Sequence, residues 1–276
     1  MEFFTTAAGI SVHVWDTRDE KQNDGPCIFL LHGYLETMYI FNELVEDLKD
    51  RCRFIAIDLP GHGLTDSAPA DPSGKRVNSM EFGVKVVSGV MDKCGVSKVF
   101  LAGHSMGGYM TLQALRDIPD RLEAAILLHS HPFPDDPERA GDRAREKALI
   151  EAGKLHALAA ASIPKMYYEE NLRACDEKIR ETVELCETHD PEGIISSIDG
   201  LMTRPDQHEV MKRPPVPLCL IHGDHDNFLP LDRVAAMREM FPEVNYALVP
   251  GTGHNSFIEN KEEFEKVFGT VTRGNC

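Results

Sequence analysis

The 276-residue chain is predicted to be an α/β protein with a mostly parallel, doubly wound, eight-stranded sheet, an antiparallel N-terminal hairpin and a helical lid insertion. Three observations predict this. Six short apolar runs of strand length show little alternation, as strands covered on both faces do. Amphipathic helical stretches separate most of them, the rhythm that a parallel sheet needs for its crossovers. One long stretch in the middle carries helical patterns and no strand.

The start, "FFTTAAGISVHVWD", alternates loosely about Ala8-Gly9, as two strands joined by a tight turn would. The six runs follow: "CIFLLH" (27–32), "RFIAID" (53–58), "KVFLAG" (98–103), "EAAILLH" (123–129), "VPLCLIHG" (216–223) and "VNYALVP" (244–250). In "MEFGVKVVSGVMDKCG", Phe82, Val86, Val90 and Cys94 fall four apart and make one stripe to lie on a sheet. "IENKEEFEKVF" repeats the device with Ile258, Phe264, Val267 and Phe268.

Between Pro132 and Pro205 only helical patterns occur, such as "REKALIEAGKLHALAAASI" and "PEGIISSIDGLM", the latter opened by Asp190 as N-cap and Pro191 in the first turn. This segment begins just after a strand, so it grows from the carboxyl edge of the sheet, where such folds bind ligands. The expected division is therefore a core of residues 1–131 and 206–276 with a lid of residues 132–205.

Composition narrows the partners. The formal charge of -16 repels phosphate backbones and anionic lipid surfaces, so nucleic acid and membrane partners are not expected. Seven cysteines without a C-x-x-C pair, several inside apolar runs, argue against a disulfide framework. With no basic leader in "MEFFTTAAGI" and no run near the ~18 apolar residues of a membrane span, a cytoplasmic location is the expectation.

The chemistry is read from "GHSMGG" (103–108). In G-x-S-x-G the serine occupies a sharp strand-to-helix turn, and glycines are needed where side chains would collide with neighbouring elements. Ser105 is preceded by "KVFLA" and followed by "YMTLQALRDI", the strand and the helix that this turn requires. A serine hydroxyl needs a base, and the base an orienting acid. Downstream, "LCLIHGDHDNFLP" supplies Asp224 and Asp226, and "VPGTGHNSF" supplies His254. Asp226 is preferred because the loop has to carry the carboxylate past the strand end; Asp224 stands as the alternative or as a turn residue. Two backbone donors for an oxyanion are expected at Met106, after the nucleophile, and at Tyr34 in "LLHGYLE".

Other polar groups are weighed beside these. His129 and His131 of "HSH" are substrate-binding candidates or satisfied polar residues at a strand end. With His225 they lack zinc-type spacing, so no metal is expected. Arg139, Arg143 and Arg173 are candidates for a basic pocket or solvated side chains, and the methionines read as core or pocket wall.

The stretches "LLHGY", "IDLPGHGLTD", "GHSMGG", "GLMTRPD", "IHGDHDNFLP" and "PGTGHNSF" together resemble the α/β-hydrolase fold family, in its lid-bearing, serine esterase-like subgroup. The resemblance implies Ser105 as nucleophile, His254 as base and then acid, Asp226 as its orienting partner, and Tyr34 and Met106 as oxyanion donors. It implies a scaffolding role for His62. Epoxide-opening and halide-removing subgroups carry aspartate where this chain has Ser105. The expected activity is hydrolysis of a small or medium carboxylic ester through an acyl-enzyme, with no cofactor and a small-molecule ester-like substrate as partner. Thioester, enol-lactone or carbon–carbon cleavage would use the same triad, and a hydrolase-like sensor that binds a partner protein is the alternative of another class.

Overall fold

The computed structural model describes residues 1–18 and 25–272. Eight strands form one sheet: β1 (Glu2–Ala7), β2 (Ile10–Asp16), β3 (Cys27–Leu31), β4 (Arg53–Ile57), β5 (Val99–His104), β6 (Leu122–Leu128), β7 (Leu218–Gly223) and β8 (Asn245–Val249). Their order is β1-β2-β4-β3-β5-β6-β7-β8. β1 and β2 pair antiparallel around Ala8-Gly9, β2 pairs antiparallel with β4, and the remaining ladders are parallel. The strand sequences lack alternation because both faces are buried. Ile28 and Leu30 join Phe54, Ala102, Ile126 and Ile221 in one core. Phe29 and Leu31 join Ile55, Leu101, Leu127 and Leu220 in the other.

Among the described residues eleven α-helices follow in order: α1 (Asn42–Leu48), α2 (Met80–Lys93), α3 (Met106–Asp117), α4 (Pro137–Glu151), α5 (Leu155–Ser162), α6 (Asp176–Cys186), α7 (Pro191–Met202), α8 (His208–Lys212), α9 (Leu231–Met240), α10 (Ser256–Glu259) and α11 (Lys261–Val271). Leu44 and Val45 of α1 and Phe264 and Phe268 of α11 cover one face of the sheet. Val86 and Val90 of α2, Leu112 and Leu115 of α3 and Val234 of α9 cover the other.

Three details differ from the sequence reading. The "REKALIEAGKLHALAAASI" stretch is two helices, because Gly153 at φ +71 turns the chain between α4 and α5. The final amphipathic stretch is also broken, at Asn260, whose side chain caps α11 by accepting from the Glu263 N–H at 3.4 Å. β8 is an edge strand, so Leu248 is 44% exposed and the strand is not covered on both faces.

α4 to α7 lie between β6 and β7, on the carboxyl side of the sheet. Asp190 caps α7 as its sequence predicts, accepting from the Glu192 N–H at 3.3 Å. The two ends of the excursion meet where the Gln207 N–H donates to the Pro132 carbonyl at 3.0 Å. Among the described residues no helix is long and apolar enough to cross a membrane.

Candidate active site

The parallel ladders bring five loops to one edge. Leu31 pairs with Gly103, Gly103 with Leu127, Leu128 with Ile221, and Gly223 with Val249, so the residues after β3, β5, β6, β7 and β8 emerge side by side. Ser105 follows β5 at φ 49 and ψ -108, a region that a residue with a side chain rarely occupies. The turn is that tight because β5 passes straight into α3. A Cβ on Gly103 would lie 2.2 Å from the Gly107 carbonyl oxygen, and one on Gly107 would lie 2.3 Å from the Leu31 oxygen. The strained serine is therefore held on a backbone that only glycine permits on either side.

His254 follows β8, and its Nδ1 sits 2.9 Å from Oδ1 and 2.8 Å from Oδ2 of Asp226. Asp226 also accepts from the Phe228 and Leu229 N–H groups at 2.7 and 3.0 Å. Burial alone would raise the Asp226 carboxyl, but the His254 and His129 imidazoles hold it well below the usual carboxylate range. As an acceptor it fixes the proton of His254 on Nδ1 and leaves Nε2 as the basic nitrogen. Asp224 is elsewhere: its carboxylate accepts from the Thr252 N–H at 3.1 Å and so braces the loop that carries His254. Of the two aspartates, Asp226 is the one whose carboxylate lies beside His254.

Ser105, His254, Tyr34, His129 and His131 line one cavity of about 610 Å³. The backbone N–H groups of Tyr34 and Met106 have no hydrogen-bond partner among the described residues. The Tyr34 loop is held from behind, where Glu36 Oε2 accepts from the Gly33 N–H at 2.6 Å. Helix α3 begins at Met106 and runs for 12 residues, so its N-terminal dipole adds to any donor there.

Among the other candidates, His131 contacts the Tyr109 hydroxyl at 3.2 Å, and burial followed by the nearby Arg204 pushes it down to about 3. His62 is buried and its ring packs edge-on against His32, Tyr34 and His189, away from the cavity lining. Arg139 and Arg143 reach the cavity wall and Arg173 does not. Arg143 is buried, lies 5.1 Å over the Tyr34 ring and pairs with Glu146 at 3.1 Å.

His225 stacks on Tyr168 at 3.7 Å between ring centroids and takes no part in a cluster with His129 and His131. The ligand-capable atoms that do converge belong to His129, Asp226 and His254, all within 4.8 Å. Both imidazoles direct Nδ1 at Asp226.

Two features escape a sequence reading. His129 Nδ1 is 2.9 Å from Asp226 Oδ2, so its main partner is the carboxylate rather than the pocket. Phe228 packs its ring 5.0 Å from that of His254 at the cavity wall. The strand-end position of "HSH" flagged His129, but no spacing rule links residues 97 positions apart.

A family model described as "alpha/beta hydrolase fold" matches residues 26–261. The putative 2-succinyl-6-hydroxy-2,4-cyclohexadiene-1-carboxylate synthase of Bacillus subtilis is 28% identical, over 90% of this chain and 91% of its own. The pimeloyl-[acyl-carrier protein] methyl ester esterase of Nitrosomonas europaea is 22% identical over 95% and 99%. A thermophilic esterase from Thermogutta terrifontis superposes with a TM-score of 0.88 at 25% identity, covering 100% of this chain and 99% of that one.

Proposed function

The chain belongs to the α/β-hydrolase fold family, and from that premise we propose that it is a serine hydrolase cleaving a carboxylic ester of a small or medium acyl group. One observation carries the reading. The strained Ser105 turn and the Asp226–His254 pair open on the same cavity, with two unengaged backbone N–H groups beside them.

In this scheme the Ser105 hydroxyl attacks the ester carbonyl while His254 Nε2 takes its proton. The tetrahedral oxyanion is held by the N–H groups of Tyr34 and Met106. His254, now an imidazolium facing Asp226, returns the proton to the leaving alcohol, and the acyl-enzyme remains. Water activated by the same nitrogen releases the acid. The helices between β6 and β7 act as a lid in this reading, since Arg139, Arg143, Leu149 and Met166 from that segment wall the cavity opposite Ser105. The esterase names among the relatives support the bond type.

Stopped-flow hydrolysis of p-nitrophenyl esters of graded acyl length, on the wild type beside Ser105→Ala, tests the proposal. A burst followed by steady turnover in the wild type and neither in the variant is the expected result. Equal turnover in both proteins would remove Ser105 from the mechanism. No turnover by a folded wild type would move the same triad to a thioester, lactone or carbon–carbon bond.

A further inference from the structure

Two imidazoles end on the carboxylate of Asp226. His254 is the one the proposed mechanism uses. The other, His129, places Nδ1 2.9 Å from Oδ2 and is held at φ 55, a conformation costly for a residue with a side chain. Its ring is wholly buried, with Nε2 2.7 Å from Ser256 Oγ.

The protons can be placed by elimination. An ionised carboxylate only accepts, so the proton of His129 sits on Nδ1. Nε2 is then an acceptor, and both the Ser256 hydroxyl and, at 3.4 Å, the Ser256 backbone N–H donate to it. His129 is therefore neutral, in keeping with the burial that pushes it down to about 4 against the pull of Asp226. The titratable groups facing it are Asp226, the His254 ring at 5.3 Å and the His104 ring at 6.0 Å. His254 in turn faces Asp226, His129 and the His104 ring at 5.0 Å.

The two oxygens of Asp226 are held differently. Oδ1 accepts from the Phe228 and Leu229 N–H groups and lies 2.9 Å from His254 Nδ1, whereas Oδ2 has no backbone donor and is held by the two histidines. We propose that His129 is a positioning residue for the hydrolytic reaction: its Nδ1–H, kept in that tautomer by Ser256, pins Asp226 Oδ2 and draws off part of the charge with which the carboxylate stabilises the His254 imidazolium. This rests on the serine-hydrolase reading above. A carboxylate stripped of that donor concentrates more charge on His254, favours its protonated form, and leaves less of the free base at a given pH.

Three variants test this. His129→Leu removes the donor, Ser256→Ala removes the shorter of the two bonds that fix the tautomer and leaves the backbone N–H, and His129→Asn keeps an N–H on the atom next to Cγ and tolerates a positive φ. In His129→Leu the acid limb of the kcat/KM profile is expected to move up by about 0.5–1 pH unit, and kcat on the plateau to fall about 10-fold with KM little changed. His129→Asn is expected to restore most of both, and Ser256→Ala to fall between. An unmoved acid limb in folded His129→Leu, or an Asn variant displaced as far as the Leu variant, overturns the proposal.

A second measurement does not depend on turnover or on the Leu variant folding. In ¹⁵N-histidine-labelled wild type, with His129 assigned by its loss in His129→Asn, the ring should be the neutral Nδ1–H tautomer from pH 7 down to about pH 5. An Nε2–H tautomer or an imidazolium in that range overturns the assignment. Absence of ester hydrolysis with the expected tautomer would instead defeat the carboxylic-ester reading and leave the His129–Asp226 arrangement established.

Discussion

His104 Nδ1 and Glu36 Oε2 lie 2.9 Å apart with both side chains fully buried, and the other His104 nitrogen is 2.9 Å from the His254 carbonyl oxygen. The His254 carbonyl accepts from one nitrogen and Glu36 faces the other, an arrangement that favours an imidazolium–carboxylate pair. Burial would lower His104, yet Glu36 raises it; burial would raise Glu36, yet His104 lowers it. The pair ties three loops together: the Gly33 turn through Glu36, the Ser105 turn through its preceding residue, and the His254 loop through its carbonyl. Glu36→Gln leaves a buried cation without its counter-charge and is expected to destabilise the protein by about 3–5 kcal/mol in urea unfolding. Ester turnover should fall with it, since the Tyr34 turn is released. An unchanged urea midpoint would mean that the pair is neutral.

Ser105 stores strain that the fold would lose without it. At φ 49 and ψ -108 the serine sits where glycine is at ease. Ser105→Gly is expected to abolish turnover while raising stability by about 1 kcal/mol, visible as a higher melting temperature. A destabilised glycine variant would show that the serine side chain holds the turn rather than strains it.

These two cases mark how far the sequence is legible. Ser105 and its glycines were readable because a local rule, the close approach of β5 and α3, dictates residue types at fixed neighbouring positions. The six apolar runs all became strands for the same local reason. His104–Glu36 spans 68 positions and His129–Asp226 spans 97, and both depend on which loops the parallel register sets side by side. Spacing in the chain carries no trace of that neighbourhood. Asp224 and Asp226 show the boundary between the two: one loop was legible, but which carboxylate turns inward depends on the Phe228 and Leu229 amides that catch it.

That pair of aspartates separates cleanly in solution. Asp226→Asn presents an amide to two imidazoles that each direct an Nδ1–H at it, so at least one bond becomes a clash of donors. The expected loss in kcat is on the order of 10³–10⁴, as for removal of the orienting acid in serine proteases. Asp224→Asn, which only braces the Thr252 amide, should keep kcat within about threefold. Comparable losses in the two variants would reverse the assignment.

Buried neutral histidines make the fold sensitive to acid. Burial pushes His129 and His189 down to about 4 and His131 down to about 3. The unfolded chain binds these protons near the ordinary histidine value of about 6.5, so it holds more protons than the folded one between there and pH 4. Their contribution is complete above pH 6.5 and is lost as pH falls toward 4. His13 and His104 are raised and work in the opposite sense, losing their contribution as pH rises above the ordinary value. His32, His62 and His222 are lowered by burial as well, so six lowered rings against two raised ones place the net loss on the acid side. Between pH 7 and pH 5 the melting temperature is expected to drop by about 5–10 °C. A flat profile by calorimetry over that range would show that these rings are already charged in the folded protein.

Asn78 anchors the segment that walls the cavity. Its side-chain amide donates to the Pro60 carbonyl at 3.0 Å, the Gly193 carbonyl at 3.2 Å and Ser197 Oγ at 3.0 Å, while its oxygen accepts from the Ala68 N–H at 2.8 Å. Two of those partners belong to α7, which approaches so closely that a Cβ on Gly193 would meet the Gly61 oxygen at 2.7 Å. Asn78→Ala leaves the buried Ala68 N–H without its acceptor and removes three bonds to the Pro60 and α7 side, and is expected to cost about 2–3 kcal/mol. Because α7 packs on α4, which supplies Arg139 and Arg143 to the cavity, the same change should raise KM for long acyl esters more than for acetate. Equal KM changes along the acyl series, with the stability loss present, would confine Asn78 to holding the fold and detach α7 from substrate recognition.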